Sequence, residues 1–175
     1  MFKIKFFTDD SKDEIKKCDE VGRMLYNTTI LNIIGLREGR DFCARIRERM
    51  GPLIDKKLRR FDVGYVSYSK INKDEIVGFV LLEFSNTGLE MNITSIVAES
   101  EKIYKSLLEN AIKYSYGSEI YTISTAIHMH QSFLDIYVNK YNFKILSIQV
   151  DEKKIPIYYK VELCMKDFDE NFLNV

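Results

Sequence analysis

Between Phe61 and Ile127 the apolar period of this chain changes twice, from strand to helix and back, and that alternation limits the fold more than any other feature. Phe61 to Ile71, Glu75 to Phe84 and Leu89 to Ala98 are three runs rich in β-branched and aromatic residues, which predict three strands. Only Asn72-Lys73-Asp74 and the Ser85–Gly88 loop separate them, so they form an antiparallel meander. After Ala98 the period becomes helical. Ser100 can cap a helix running to about Tyr116, with Ile103, Leu107, Leu108 and Ala111 on one face and Gly117 at its end. Glu119 to Ile127 is again a strand. A strand, a helix and a second strand need a right-handed crossover, which makes the two strands parallel. The sheet must therefore be mixed.

The flanks extend this plan. Phe2 to Thr8 reads as a strand and Asp9, Asp10 and Ser11 as caps. Lys12 to Tyr26 reads as a helix with Ile15, Cys18, Val21, Gly22 and Leu25 on its stripe. Thr28 to Leu36 has no clear period and stays open between loop and short helix. Gly39 to Met50 predicts an arginine-rich helix stopped by Gly51-Pro52. Beyond Ile127, Ser132 is expected to cap a helix to about Lys140 with Phe133, Ile136 and Tyr137 buried. Phe143 to Val150 and Ile155 to Leu163 are expected strands around the turn Asp151–Lys154. The order is β-α-α-β-β-β-α-β-α-β-β. It predicts an α/β (α+β) fold with a mixed, mostly antiparallel central sheet of about seven strands and helices on both faces.

Residues 1–175 are expected to form a single domain, with residues 165–175 as a loose tail. The formal net charge is zero, which argues against a nucleic-acid binder held by bulk electrostatics. Cys18, Cys43 and Cys164 form no CxxC and read as reduced structural or surface thiols. MFKIKFFTDD has no signal-peptide pattern, and no window approaches the roughly 18 apolar residues of a membrane span. A cytoplasmic protein with no membrane partner is the expectation. Tyrosine-rich Ile155–Leu163 could pair across a two-fold as a homodimer contact.

Four stretches carry a family likeness. They are IVGFVLLE (76–83), LEMNITSIVA (89–98), SLLENAI (106–112) and NKYNFKI (139–145). With the element order, they resemble the GNAT superfamily of N-acetyltransferases over nearly the whole chain. The resemblance implies acetyl-CoA as cofactor and a primary amine, on a small molecule or a peptide, as acceptor. It implies that the strand ending at Ile96, Val97 and Ala98 pairs with the pantetheine arm. It also places the pyrophosphate at the next helix start, on Lys102, Ile103, Tyr104 and Lys105. Gln131 falls where the family carries a cofactor-side asparagine, and Val138 where it carries a tyrosine.

The glycine-rich pyrophosphate turn is missing, since its positions hold Glu99, Lys102 and Tyr104. Two like charges about 5 Å apart repel by roughly 3 kcal/mol at an effective dielectric near 20, so Glu99 and Glu101 oppose a pyrophosphate there. The same residues also make an ordinary helix start, with Ser100 as cap and Glu101 paired to Lys105. Glu83 and Glu90 are candidate bases, and Glu90 shares a polar face with Asn92 and Thr94. Tyr137 is the candidate acid or a core ring. His128 and His130 could supply a base or a substrate contact, and no third group suggests a metal. Arg37, Arg40, Arg45, Arg47 and Arg49 read as a solvated helix face or as a wall for an anionic acceptor.

Overall fold

The computed structural model describes residues 1–50 and 60–167, the side chains of residues 46, 47, 49, 50 and 167 excepted. In chain order the elements are β1 (Phe2–Thr8), α1 (Lys12–Ile34), α2 (Leu36–Met50), β2 (Val63–Ser69), β3 (Ile76–Phe84), β4 (Glu90–Ala98), α3 (Glu101–Gly117), β5 (Thr122–His128), α4 (Gln131–Leu134), a π-helical segment (Asp135–Lys140), β6 (Lys144–Val150) and β7 (Pro156–Cys164). The seven strands form one sheet in the order β1-β2-β3-β4-β5-β7-β6. β4 and β5 are parallel, as the crossover requires, and the other registered pairs are antiparallel.

Contacts divide the chain into two compact units, Met1–Glu83 with Thr94–Ala111, and Phe84–Ile93 with Ile112–Val175. In the first, β3 is buried from Ile76 to Leu82 on both faces. Phe79 packs in a cluster with Cys18 and Leu25 of α1, Phe7, Val66 and Val97. Its neighbour Gly78 points the other way, where a Cβ would stand 3.0 Å from Ile103 and Leu107 of α3. The two helices therefore cover opposite faces of β3. Gly64 is needed for closeness too, since a Cβ there would lie 2.6 Å from the Val80 carbonyl.

α1 runs on through Ile34, so Thr28–Ile34 is helical. That stretch buries Thr29, Ile30 and Ile33, and Gly35 at φ 111° ends it. α2 starts at Leu36, three residues earlier than its sequence suggests, and its expected Gly51-Pro52 stop lies outside the described residues. Cys18 and Cys43 are buried and outside any disulfide, and burial pushes the Cys18 thiol up to about 12.

In the second unit, β7 is clasped between β5 and β6, with pairs from Thr122↔Cys164 to His128↔Tyr158 on one side. Ile155–Leu163 therefore has no free edge for a two-fold, and the outer strand is β6. Cys164 closes β7, and the Met165 N–H donates to the Tyr121 carbonyl at 2.7 Å, so the chain is held at the head of the expected loose tail. The rest of that tail, 168–175, lies outside the described residues. Glu119, with φ 58°, sits in the turn before β5 rather than in the strand. Among the described residues, no helix is long and apolar enough to cross a membrane.

Candidate functional site

β4 contains one residue more than β3 has room for. The Ser85 N–H donates to the Glu90 carbonyl, and the Glu99 N–H donates to the Val77 carbonyl. Between these two bonds the chain takes eight steps along β3 and nine along β4. The hydrogen-bonding side tells the same story. The Leu89 carbonyl accepts from the Tyr121 N–H at 2.8 Å and the Ile93 carbonyl from the Thr125 hydroxyl at 2.9 Å, so odd residues face β5. By Ala98 it is the even residue that turns away from β3. An added residue in one strand is a β-bulge, which bends and twists it. This one falls in Thr94–Val97, where strict alternation is lost: Thr94, Ser95 and Ile96 are all half-buried. The Thr94 hydroxyl donates to the Leu81 carbonyl and pins the start of the bulge to β3.

Past the bulge the backbone finds a side-chain partner. The Thr29 hydroxyl of α1 accepts from the Ala98 N–H at 2.7 Å and lies 3.0 Å from the Ala98 carbonyl and 2.6 Å from the Leu25 carbonyl, to which it donates its single proton. Asn32 donates its amide to the Glu99 carbonyl. A threonine bonded back to the carbonyl four residues earlier is common in helices, so nothing in the sequence marked Thr29 as a strand partner. Thr29 and Asn32 are the residues that sequence reasoning missed.

The start of α3 follows directly. Ser100 caps it, accepting from the Ile103 N–H at 3.3 Å, while its carbonyl accepts from the Tyr104 N–H. Lys105 pairs with Glu101 at 3.1 Å. Glu99, Glu101 and Lys102 are exposed, Ile96 and Lys105 are half-buried, and Val97, Ala98, Ile103 and Tyr104 are buried. Tyr104 is only 2% exposed, so its bulk goes into the core rather than over the helix mouth.

Of the remaining candidates, Arg37, Arg40 and Arg45 are exposed and Glu83 half-buried in the first unit, and Glu90, His128, His130, Gln131 and Tyr137 lie in the second. Glu90 is exposed at the head of β4, its N–H held by the Ser85 hydroxyl at 3.2 Å, with Asn92 exposed beyond it. His130, not Ser132, is the N-cap of α4, and its Nδ1 accepts from the Ser132 N–H at 3.1 Å. Gln131 is exposed and donates to Asp135 at 2.7 Å, and Asn139 donates to the same carboxylate oxygen. The helix then widens into the π segment, a rare form that in other proteins often accompanies functional sites. Within it Tyr137 is fully buried, its ring edge-on to Phe143 at 5.2 Å. His128 is buried between the rings of Phe133 and Tyr158, and burial depresses its pKa to about 3, so it is neutral at physiological pH. Asn142 takes φ 60°, as an asparagine standing for glycine can. Among the described residues, no three His, Cys, Asp or Glu are grouped to hold a metal.

A seven-stranded mixed sheet whose parallel pair follows an antiparallel meander, with a bulge in the fourth strand and a helix starting at its end, defines an acyl-CoA N-acyltransferase architecture. Solved structures agree. The chain is similar to a probable acetyltransferase from Staphylococcus epidermidis at 14% identity and TM-score 0.58, covering 94% of this chain and 99% of that one. It is also similar to the spermidine/spermine N-acetyltransferase of Vibrio cholerae, at 11% identity and TM-score 0.61, covering 99% and 98%. The ribosomal-protein-S18-alanine N-acetyltransferase of Escherichia coli matches at 10% identity and TM-score 0.56, covering 97% and 98%. No protein-family model and no curated protein matches the sequence. The chain has the fold of the GNAT superfamily of N-acetyltransferases.

Proposed function

We propose that the chain is an acyltransferase that moves an acetyl group from acetyl-CoA to a primary amine of a small molecule or peptide. The observation that carries this reading is the bulge at Thr94–Val97. A bulged strand presents main-chain groups that an extended ligand can bond as if it were another strand. The residues at hand fit acetyl-CoA in part. Ser95, Ile96 and Val97 suit the pantetheine arm. Ala98, whose N–H is already bonded to Thr29, does not. At the α3 start, Ser100 holds the Ile103 amide and two carboxylates stand exposed, so backbone capture of a pyrophosphate is poor there. Lys102 and Lys105 would have to meet it through their side chains instead.

Acetyl-CoA, once bound, supplies a thioester carbonyl open to attack by the amine. Glu90 is the exposed carboxylate best able to take the ammonium proton. His130 could do so through a water, though its Nδ1 is committed to capping. Tyr137, sealed against Phe143, is assigned to packing, so a proton for the leaving thiol would have to come from water.

A second reading is favoured by the Thr29 bond and the Ser100 cap: a GNAT-fold protein that binds no CoA and serves as a binding or assembly module. Thermal denaturation with CoA decides between them. A ligand at a hundred times its Kd stabilises by about 2.7 kcal/mol. Stabilisation by CoA, with acetyl transfer to a polyamine or peptide amine, supports the enzyme. No shift at millimolar CoA supports the module.

A further inference from the structure

The described helices of the second unit lie on one face of its sheet. Odd residues such as Met91, Ile123, Val161 and Leu163 are buried, and the Ser115 hydroxyl of α3 donates to the Met91 sulfur at 3.6 Å. α3 therefore covers the odd face. The crossover from β5 to β6 runs the same way along the sheet as that from β4 to β5, and a right-handed path puts α4 on the same side. The even residues form the other face. There Glu90 and Asn92 are exposed, and Thr122, Ser124, Glu162 and Cys164 are half-buried. Register sets them in two rows, Glu90↔Thr122↔Cys164 and Asn92↔Ser124↔Glu162.

We propose that Glu162 is a specificity-determining residue: it holds the distal ammonium of a diamine acceptor whose reacting amine lies at Glu90. This rests on the acetyltransferase reading, in which Glu90 takes the proton. Two strand spacings and two residues separate the positions, about 12 Å between Cα atoms. That is about the reach of an extended diamine such as diaminooctane. The side chains between the two carboxylates, Asn92, Ser124 and Thr122, are uncharged, so no cation repels the chain that crosses them. A monoamine meets one carboxylate, whereas a diamine meets both, and the charges select the second. Glu162 is half-buried, where its bond to an ammonium is screened less than at exposed Glu90. Lys144 of β6 registers opposite Glu162 and is exposed. A surface pair of that kind is worth about fivefold in affinity at most, so an acceptor ammonium can displace it.

Calorimetric titration of the full chain with diaminooctane and with octylamine, in the presence and absence of CoA, tests this. The wild type should bind the diamine about tenfold more tightly than the monoamine. Glu162→Gln should lose that factor for the diamine, leave octylamine unchanged and keep the wild-type circular dichroism spectrum. Lys144→Gln should tighten the diamine about twofold, and it keeps the test open if Glu162→Gln unfolds. Glu152→Gln, in the exposed β6–β7 turn, is the control that alters neither ligand. Equal affinity for the two ligands in the wild type, no binding of either, or an equal loss of both in Glu162→Gln overturns the proposal. Acetyl transfer is read separately. Diamine binding that depends on Glu162, without transfer, overturns the enzyme reading and leaves the Glu162 site standing.

Discussion

The two ends of β4 meet the same requirement by different means. At its first end, Glu90–Asn92 lies in register with Thr122–Ser124 of β5, and the Thr125 hydroxyl extends the pairing to the Ile93 carbonyl. At its second end, one hydroxyl from a helix serves Ala98. Every buried main-chain group needs a partner, and a strand leaving its neighbour must borrow one. A ladder satisfies a run of residues, but a single threonine satisfies one. On the proposed reading, the residues between, Ser95 to Val97, are the part of the strand left for a ligand.

Substitutions should rank along this contrast. Tyr104→Gly, beside the second end, should cost most, about 3–5 kcal/mol in denaturant unfolding, because it empties a buried site. From the sequence alone the same change looks harmless, since it restores a family glycine. Acid should act on the other unit. Because the His128 pKa is lowered, the unfolded chain binds the extra proton between about pH 6.5 and 3. Stability is complete above pH 6.5 and falls as pH drops through that window, by about 1.4 kcal/mol per pH unit. Replacing His128→Asn should flatten that part of the slope in pH-dependent unfolding, and an unchanged slope would show that His128 does not control it.

Thr29→Val should cost about 2 kcal/mol by leaving the Ala98 N–H buried and unpaired, while Thr125→Val, which orphans only a carbonyl, should cost about 1 kcal/mol. Equal costs would break the contrast. Ser100→Ala should lose about 1 kcal/mol of helix capping, and Lys105→Ala less than about 0.5 kcal/mol in thermal unfolding.

The meander, the crossover and the Ser100 cap were legible because each rests on local signals: turn residues, a change of period, a capping hydroxyl. The second half of α1 was not, since Thr28–Ile34 has no polar face to set a period. The π segment escaped because a wider turn leaves no sequence mark, and His130 took the cap expected of Ser132. Ile155–Leu163 was read as an outer strand for a related reason: its tyrosines look exposed, and only the strand order reveals that β6 is outermost. The bulge was hidden as well, because Thr94-Ser95 breaks the alternation without saying where the extra residue goes. The candidate bases were readable only as residue types in a place, and the Thr29 contact joins residues 69 apart and leaves no trace in either segment.

Amide hydrogen exchange across Thr94–Lys102, with and without saturating CoA, tests the central claim most directly. CoA should slow exchange at Ser95–Val97 by about tenfold or more and leave Ala98, already bonded to Thr29, unchanged. Identical exchange with and without CoA, or protection at Ala98 alone, would contradict the account.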